Sequence, residues 1–255
     1  MLANSLNAAN PSAAEVRRAL GADRGLLVVL GDDAWPLTSE LAKATQLTLL
    51  VQASDAAAVT RMRKLAEHAG WLGSRVYVEG GGKRIHLARH MADGVIVGAG
   101  ADAGDVARVA RPGAALFIDG KLSRAKAVAG LGDWTHPYHG PDNNPQSTDT
   151  IARGPYLTRF LATPYYGPMP EVTVTAGGRI FKAFGHVSYK ERAWPLLNKL
   201  ICLNAFNGTL LWERKLTPGY LVHRNSMVAT EDALYLSDND SCKVIDAATG
   251  KVRDE

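Results

Sequence analysis

The sequence predicts an α/β doubly wound parallel sheet followed by an all-β partial β-propeller. Residues 1–131 alternate short apolar runs with helical patterns, which is typical of a parallel sheet with helices on both faces. Residues 171–255 contain two copies of one pattern of short strands, and such repetition is typical of propeller blades. Between them, residues 132–170 are predicted to be a linker and entry segment, because Gly, Pro, Asn and Ser cluster there.

The composition is that of an ordinary globular protein. The chain has 255 residues, of which 46% are hydrophobic, and a net charge of +4, so it can bury a sizeable core. Its Lys and Arg residues are scattered, which argues against a nucleic-acid partner. No apolar run approaches the ~20 residues of a membrane-spanning helix, and no signal peptide is visible. Cys202 and Cys242 leave the redox compartment open, and each is expected to be a small buried thiol.

The first part divides into predicted strands and helices. Pro36 suits the first turn of the helix predicted at 36–45. Ser54 or Asp55 suits the N-cap of the helix predicted at 54–70, and Gly70 suits the end of that helix. No sixth strand is predicted after residue 120. Apolar runs predict strands at 25–31, 47–52, 74–79, 93–98 and 114–120, and periodic patterns predict helices at 36–45, 54–70 and 102–113.

Two stretches carry a family resemblance. "VARVARPGAALFI" (106–118) and "ADGVIV" (92–97) resemble the helix, Arg-Pro-Gly turn, fifth strand and fourth strand of class I S-adenosylmethionine-dependent methyltransferases, and the resemblance covers roughly half the chain. It implies a truncated Rossmann-like, methyltransferase-type sheet. It also implies a Gly-x-Gly-x-Gly loop against the methionine part of the cofactor, and an acidic residue at the end of the second strand that binds the ribose.

This sequence departs from that family pattern at the cofactor loop. Gly31 matches the first glycine, but Asp33 and Trp35 stand at the other two positions, and Gln52 stands where the acid belongs. We therefore expect the side chains at 33 and 35 to crowd the crevice, and we interpret Gly31, Asp33 and Gln52 as a vestigial cofactor site. The alternative is an active methyltransferase with an unusual loop, in which Asp33 and Gln52 face an open pocket.

The second part contains an internal repeat. "LNAFNGTLLW" (203–212) aligns with "IDAATGKVRD" (245–254), and residues 172–184 align with 226–238. The two offsets differ, which predicts an insertion at 185–196 in the first copy. Each copy, 171–213 and 226–255, is predicted to be one four-stranded propeller blade, with Gly208 and Gly250 supplying the turn glycine.

The repeat resembles that of pyrroloquinoline-quinone-binding-like propellers, which include quinoprotein alcohol dehydrogenases and lipoproteins of outer-membrane protein assembly. The resemblance implies that Trp212 wedges between neighbouring blades. It also implies that the chain is a fragment of a longer bacterial fusion protein, or else needs a partner to close the ring. A periplasmic or cell-envelope location is expected from this resemblance alone.

Aromatic and basic residues are predicted to gather on one loop face of the propeller. They suit a small anionic or planar ligand, such as a quinone with carboxylates. The alternative is that these loops seal the seam with the first part of the chain. The residues are His186, Tyr189, Lys190, Arg192, Trp194, Tyr220, His223 and Arg224, beside Tyr165 and Tyr166.

Two other patterns give weaker evidence for a functional site. Adjacent Asp32 and Asp33 should point apart, which argues against an acid/base pair. His86 and His90 have the i, i+4 spacing of a helical zinc site, but no third ligand is evident, so no metal is expected. The sequence thus predicts a non-catalytic binding or scaffold protein with a protein partner or the remaining blades, and no bound cofactor. An active methyltransferase using S-adenosylmethionine, and a part of a quinone-dependent oxidoreductase, are the alternatives.

Overall fold

The computed structural model describes residues 10–81, 84–98, 101–152, 161, 168, 170, 172–219 and 226–255. The chain divides into two compact units, Met1–Ala127 and Val128–Glu255. The described part of the first unit is α/β, and that of the second consists mainly of antiparallel strands.

Strands and helices alternate along the N-terminal unit. Its described helices are α1 (Ala13–Leu20), α2 (Trp35–Ala44), α3 (Ala56–His68) and α4 (Ala103–Val109). Its described strands are β1 (Leu26–Leu30), β2 (Thr48–Ala53), β3 (Val76–Gly80), β4 (Ala92–Val97), β5 (Ala110–Ile118) and β6 (Lys121–Arg124).

These strands form one sheet in the order β3-β2-β1-β4-β5-β6. Strands β1 to β5 run parallel, and the order is that of a doubly wound, Rossmann-like sheet. The chain reverses its direction of travel across the sheet between β1 and β4, which places the topological switch point at the carboxyl ends of these two strands.

Strand β6 corrects one prediction. It pairs antiparallel with β5, with Ile118 opposite Lys121, so the expectation that no sixth strand follows is wrong. All four residues of β6 are exposed. Because neither of its faces is buried, the strand has no apolar alternation that could have predicted it.

The helices begin at capping signals in the sequence. Asp55 caps α3 by accepting the N–H groups of Ala57 and Ala58, as predicted. Ser12 and Glu15 form a capping box at the start of α1, a helix that the sequence analysis did not predict. Helix α2 has Pro36 in its first turn, as predicted, but no side chain caps it at Ala34.

An ion pair between a buried carboxylate and a partly buried guanidinium joins three strands of the sheet. The Arg-Pro-Gly stretch is not a turn: it lies inside β5, where the pairing with β4 shifts register. Arg111 Nε thereby comes within 2.5 Å of Asp93 Oδ1. The other oxygen of this buried carboxylate accepts the N–H of Leu26 at 2.8 Å. Asp93 on β4 therefore holds the beginnings of β1 and β5.

The described part of the C-terminal unit contains two four-stranded antiparallel sheets. The first has the order β10-β9-β8-β7 and the second β11-β12-β13-β14. Their strands are β7 (Val172–Ala176), β8 (Arg179–Phe184), β9 (Lys199–Asn204), β10 (Leu210–Lys215), β11 (Met227–Ala229), β12 (Ala233–Asp238), β13 (Ser241–Asp246) and β14 (Val252–Asp254).

The two sheets share the register that the internal repeat predicts. Ile180 pairs with Leu203 in the first sheet, and the aligned residues Leu234 and Ile245 pair in the second. The third and fourth strands are joined by equivalent turns, in which Gly208 and Gly250 have φ values of 75° and 72°. Each of these glycines donates its N–H to the carbonyl of the residue four positions earlier at 2.8 Å. The sequence repeat is therefore a structural repeat.

The insertion lies where the repeat alignment predicts it. In the first sheet, residues 185–198 separate β8 from β9 and include a 3-10 helix, Glu191–Leu196. In the second sheet only residues 239 and 240 separate β12 from β13. We call residues 185–198 the β8–β9 loop.

Trp212 joins the two sheets. It lies on β10 of the first sheet and is buried, with its ring centroid 5.9 Å from that of Phe181. Its Nε1 donates to the carbonyl of Ala247, in the last turn of the second sheet, at 3.0 Å. The ring also covers Gly250, where an added Cβ would lie 2.6 Å from Trp212 Cδ2. Trp212 thus wedges between the sheets, as its place in the repeat implied.

The two cysteines differ in exposure. Cys202 on β9 is buried, and burial raises the pKa of its thiol to about 12. Cys242 on β13 is exposed, so the expectation of a buried thiol is wrong there. Among the helices described, none is long and apolar enough to cross a membrane.

Candidate functional site

A crevice opens at the topological switch point of the N-terminal unit. It lies beside the carboxyl ends of β1, β2 and β4 and has a volume of about 500 Å³. Ligands of open α/β sheets bind at this point, and the volume falls within the range of small-molecule sites. The described residues that line it are Asn10, Val29, Leu30, Gly31, Asp32, Asp33, Ala34, Leu37, Gln52, Ala53, Ser54, Gly81, Ile96, Val97, Gly98 and Ala101.

Gly31 presents bare backbone to the crevice. Its φ of 143° is a conformation that residues with a Cβ rarely adopt. Its N–H donates to the carbonyl of Gln52 at 3.0 Å, which ties the end of β1 to β2. A Cβ built at Gly31 would meet no heavy atom within 4 Å, so the space beside this residue is open. The sequence assigned Gly31 to a vestigial cofactor loop, and whether a ligand binds beside it stays a prediction.

Asp33 and Trp35 do not crowd the crevice, which corrects the steric argument made from the sequence. The Asp33 side chain is 99% exposed and points to solvent, with an oxygen 4.0 Å from Arg61 Nη2. Trp35 is the first residue of α2 and packs against the buried core, with its ring centroid 6.4 Å from that of Trp71. Asp33 thus stays at the solvent-exposed rim of the crevice, and Trp35 does not line it.

Asp32 fastens the two turns that border the crevice. Its carboxylate accepts the N–H groups of Ser54 at 2.8 Å and Asp55 at 3.0 Å, and also the Ser54 hydroxyl. The hydrogen bond from the Asp55 N–H is the largest cause that lowers the pKa of the Asp32 carboxyl, followed by those from Ser54 and the charge of Arg61. Asp32 is therefore an ionised anchor, and the expectation that it does not pair with Asp33 as acid and base agrees with this geometry.

Both polar ends of the Gln52 side chain are hydrogen-bonded to the backbone of this chain. It is 4% exposed, its Nε2 donates to the carbonyl of Arg84 at 2.7 Å, and its Oε1 accepts the N–H of His86 at 2.9 Å. Gly81 must be small here, because an added Cβ would lie 2.5 Å from Gln52 Nε2. The amide thus clamps residues 84–86 against the end of β2, at the position where the resemblance noted in the sequence implied an acidic ribose ligand.

Replacing Gln52 with glutamate should destabilise the protein rather than create a ribose site. The substitution removes the donor to the Arg84 carbonyl and sets a carboxylate against it, so the free energy of unfolding should fall by about 1–3 kcal/mol. Urea denaturation measures this change. Glu40→Gln, a matched exchange on the exposed surface of α2, should change it by less than about 0.5 kcal/mol. A Gln52→Glu protein as stable as the parent would contradict the clamp.

The histidines of this region make other contacts. His86 Nδ1 lies 2.9 Å from Glu79 Oε2, and His90 Nδ1 lies 3.1 Å from the carbonyl of Ala110. Residues 84–90 are not helical, so the i, i+4 spacing does not place the two rings on one face. Among the described residues, no group of three or more His, Cys, Asp or Glu side chains could hold a metal ion.

The predicted loop face of the C-terminal unit is described only in part. His186, Tyr189, Lys190, Arg192 and Trp194 all lie in the β8–β9 loop and are exposed. Their gathering with the other predicted members stays a prediction. Those members, Tyr165, Tyr166, Tyr220, His223 and Arg224, lie outside the described residues.

The chain is similar in structure to several solved proteins, at low sequence identity. A SAM-dependent methyltransferase from Aquifex aeolicus is 17% identical, with a TM-score of 0.35, over 42% of this chain and 62% of that one. The geranyl diphosphate C-methyltransferase of Streptomyces coelicolor is 12% identical, with a TM-score of 0.36, over 42% and 44%. The [4+2]-cyclase SpnF is 15% identical, with a TM-score of 0.37, over 42% of each chain. The aligned region thus spans about half of each of these proteins.

No family model matches the chain, and no curated protein matches it. The fold of the N-terminal unit is therefore assigned by its own strand order, which is Rossmann-like.

Proposed function

We propose that the chain is a binding protein whose N-terminal unit holds a small nucleoside-like ligand in the crevice. The observation that carries the proposal is the open space of about 500 Å³ at the switch point, which Trp35 does not line and at which the Asp33 side chain stays exposed to solvent. Apolar walls with a few polar groups are typical of sites for small organic molecules. Val29, Leu37 and Ile96 supply such walls here.

S-adenosylmethionine is the first ligand to test, and the crevice fits it in part. Bare backbone at Gly31 and the first turn of α2, which has no side-chain cap, suit a ligand that lies against peptide groups. The ribose position fits less well, because the Gln52 amide is already bonded to Arg84 and His86. When bound, this ligand would supply an activated methyl group. Asp32 and Gln52 hold the walls of the site together, so our proposal assigns them binding architecture rather than proton transfer.

Isothermal titration with S-adenosylmethionine, S-adenosylhomocysteine and adenosine tests the proposal. Gly98 lines the crevice, and a Cβ there would meet no heavy atom within 4 Å. Gly98→Phe should therefore place a ring at the crevice without a clash at its Cβ. We expect micromolar binding to the parent protein and at least a tenfold loss, about 1.4 kcal/mol, in Gly98→Phe.

Ala57→Phe is the matched control, since Ala57 is exposed on α3 and does not line the crevice. It should bind as the parent does. The proposal fails if none of the three compounds binds, or if Gly98→Phe and Ala57→Phe bind equally well.

An active methyltransferase is the second candidate, because the crevice is open where the sequence suggested that it is blocked. It requires turnover in addition to binding. Release of S-adenosylhomocysteine from S-adenosylmethionine in the presence of a small-molecule extract would support it, provided that Gly98→Phe abolishes the release. Binding without any release would leave the binding protein as the better description.

We propose further that the two antiparallel sheets are consecutive blades of a propeller-type repeat, over 171–213 and 226–255. Three observations support this: the shared register, the equivalent turns, and the contact of the first strands β7 and β11. Trp212 of the first sheet packs on the last turn of the second, so the two sheets are neighbours in space as they are in the chain. A closed propeller needs further blades, which a longer chain or a partner protein would supply.

A further inference from the structure

The β8–β9 loop displays an unusual concentration of apolar surface. Among the described residues, the three most exposed large hydrophobic side chains are Tyr189 at 100%, Val187 at 61% and Trp194 at 54%. All three lie within eight consecutive residues of this one loop. Single exposed apolar residues are ordinary, whereas a cluster marks an interaction surface.

The loop is held in one shape by its own hydrogen bonds. Trp194 Nε1 donates to the carbonyl of Ser188 at 3.1 Å, and the N–H of Asn198 closes the loop by donating to the carbonyl of Gly185 at 3.0 Å. Ala193 and Leu196 are buried and anchor the 3-10 helix. Because the loop is already ordered, its exposed aromatic residues would lose little conformational freedom on binding.

The β8–β9 loop carries two basic residues and one acidic residue. Lys190 and Arg192 are exposed on either side of Glu191, and His186 lies near the start of the loop. Tyr, Trp and basic side chains together are typical of segments that rest in the head-group region of a membrane. Tyr and Trp place an apolar ring beside a polar group there, and Lys and Arg are attracted to anionic lipids.

The size of the exposed cluster favours a lipid surface over a protein partner. A stable protein interface buries about 800 Å² on each partner and draws on some 20–30 residues. The exposed apolar part of this loop consists of three side chains, far fewer than such an interface uses. A bilayer needs no complementary shape, and attachment to it strengthens with the apolar area buried and with the attraction of basic residues to anionic lipids.

We propose that the β8–β9 loop attaches the protein reversibly to an anionic lipid surface, with Tyr189, Val187 and Trp194 in the head-group region and Lys190 and Arg192 beside the lipid charges. This attachment is independent of the crevice and of its ligand.

Co-sedimentation of the full chain with lipid vesicles tests this proposal. We expect binding to phosphatidylcholine vesicles that contain about 30% phosphatidylserine, and much weaker binding to phosphatidylcholine alone. The double variant Val187→Ser/Tyr189→Ser should bind at least about tenfold more weakly, because it removes two exposed apolar side chains from the lipid contact and keeps the Trp194 hydrogen bond that holds the loop. Lys190→Ala and Arg192→Ala should each weaken binding about fivefold at low salt.

The control is Tyr77→Ser/Leu122→Ser, which removes two exposed apolar side chains of the N-terminal unit, 42% and 51% exposed. It should bind vesicles as the parent does. Any one of three results would overturn the proposal. The first is that the parent protein does not sediment with anionic vesicles, and the second is that the loop variant and the control bind equally. The third is that the loop variants abolish a dimer seen in analytical ultracentrifugation. The last result would identify the loop as a protein interface.

Discussion

Replacing Trp212 with alanine is expected to lower the free energy of unfolding of the C-terminal unit by about 3–5 kcal/mol. The indole is buried between the two sheets, contacts Phe181 and donates to the Ala247 carbonyl. Its removal leaves a cavity over Gly250, where the tight turn cannot move inward to fill it. It also leaves the Ala247 carbonyl without its indole donor.

Hydrogen exchange of the amides of Leu234 and Ile245, which pair in the second sheet, measures the loss within this unit. Their protection should fall in Trp212→Ala, while that of Val29 and Val51 in the N-terminal sheet should not. Trp194→Ala is the control: its ring is half exposed, so the cost should stay below about 1 kcal/mol. Equal effects of the two substitutions would contradict the role of Trp212 between the sheets.

Replacing Arg111 with methionine is expected to cost about 3–5 kcal/mol in the N-terminal unit. The substitution keeps most of the side-chain volume but leaves the buried Asp93 carboxylate without its cation. A buried carboxylate that loses a charged partner raises the free energy of the folded state. Asp93 would keep its hydrogen bond from the N–H of Leu26 but lose the guanidinium that links β4 to β5.

Urea denaturation followed by hydrogen exchange in β1 and β4 measures this effect. Arg17→Met is the matched control, because Arg17 pairs with Asp23 at 3.0 Å on the exposed surface, and exposed pairs contribute less than about 1 kcal/mol. The double variant Arg111→Met/Asp93→Asn should recover part of the loss, because the buried charge is gone. If Arg111→Met costs no more than Arg17→Met, Asp93 is not a buried anchor.

The parallel sheet could be predicted from the sequence because its strands are buried on both faces. Residues 26–30 and 48–53 are almost entirely buried. Strands buried on both faces have continuous apolar sequences, and such runs are easy to recognise. Strand β6 and helix α1 were missed for different reasons. The first is exposed throughout. The second was tested only for the features of a signal peptide, which it lacks, although its capping box is visible in Ser12 and Glu15.

The repeat could be predicted in more detail because two copies confirm each other. Asn204 and Asp246 differ in charge, yet each side chain accepts the N–H of the residue two positions later, at 2.9 and 3.0 Å. The alignment finds this equivalence without any structural knowledge. Exposure is harder to predict: Cys202 and Cys242 both lie in third strands, but only the first is covered by the neighbouring sheet.

The crevice lies beside Gly31, where the sequence predicted a vestigial cofactor loop, but the expected crowding by the side chains at 33 and 35 was wrong. The motif position of Gly31 led to the crevice, whereas the direction of Asp33 depends on backbone angles that the sequence does not give. Trp35 is the first residue of α2, and the helix directs its ring towards Trp71. The clamp made by Gln52 could not be foreseen, because its partners, Arg84 and His86, lie more than thirty residues away.

Methyl NMR of the protein during titration with S-adenosylhomocysteine tests the central proposal most directly, because it locates the ligand. The methyl signals of Val29, Leu37, Ile96 and Val97, which line the crevice, should shift with the added ligand. Those of Leu234 and Ile245 in the C-terminal unit should stay in place. Unchanged signals from the crevice residues at saturating ligand, or shifts confined to the C-terminal unit, would contradict a ligand site at the switch point.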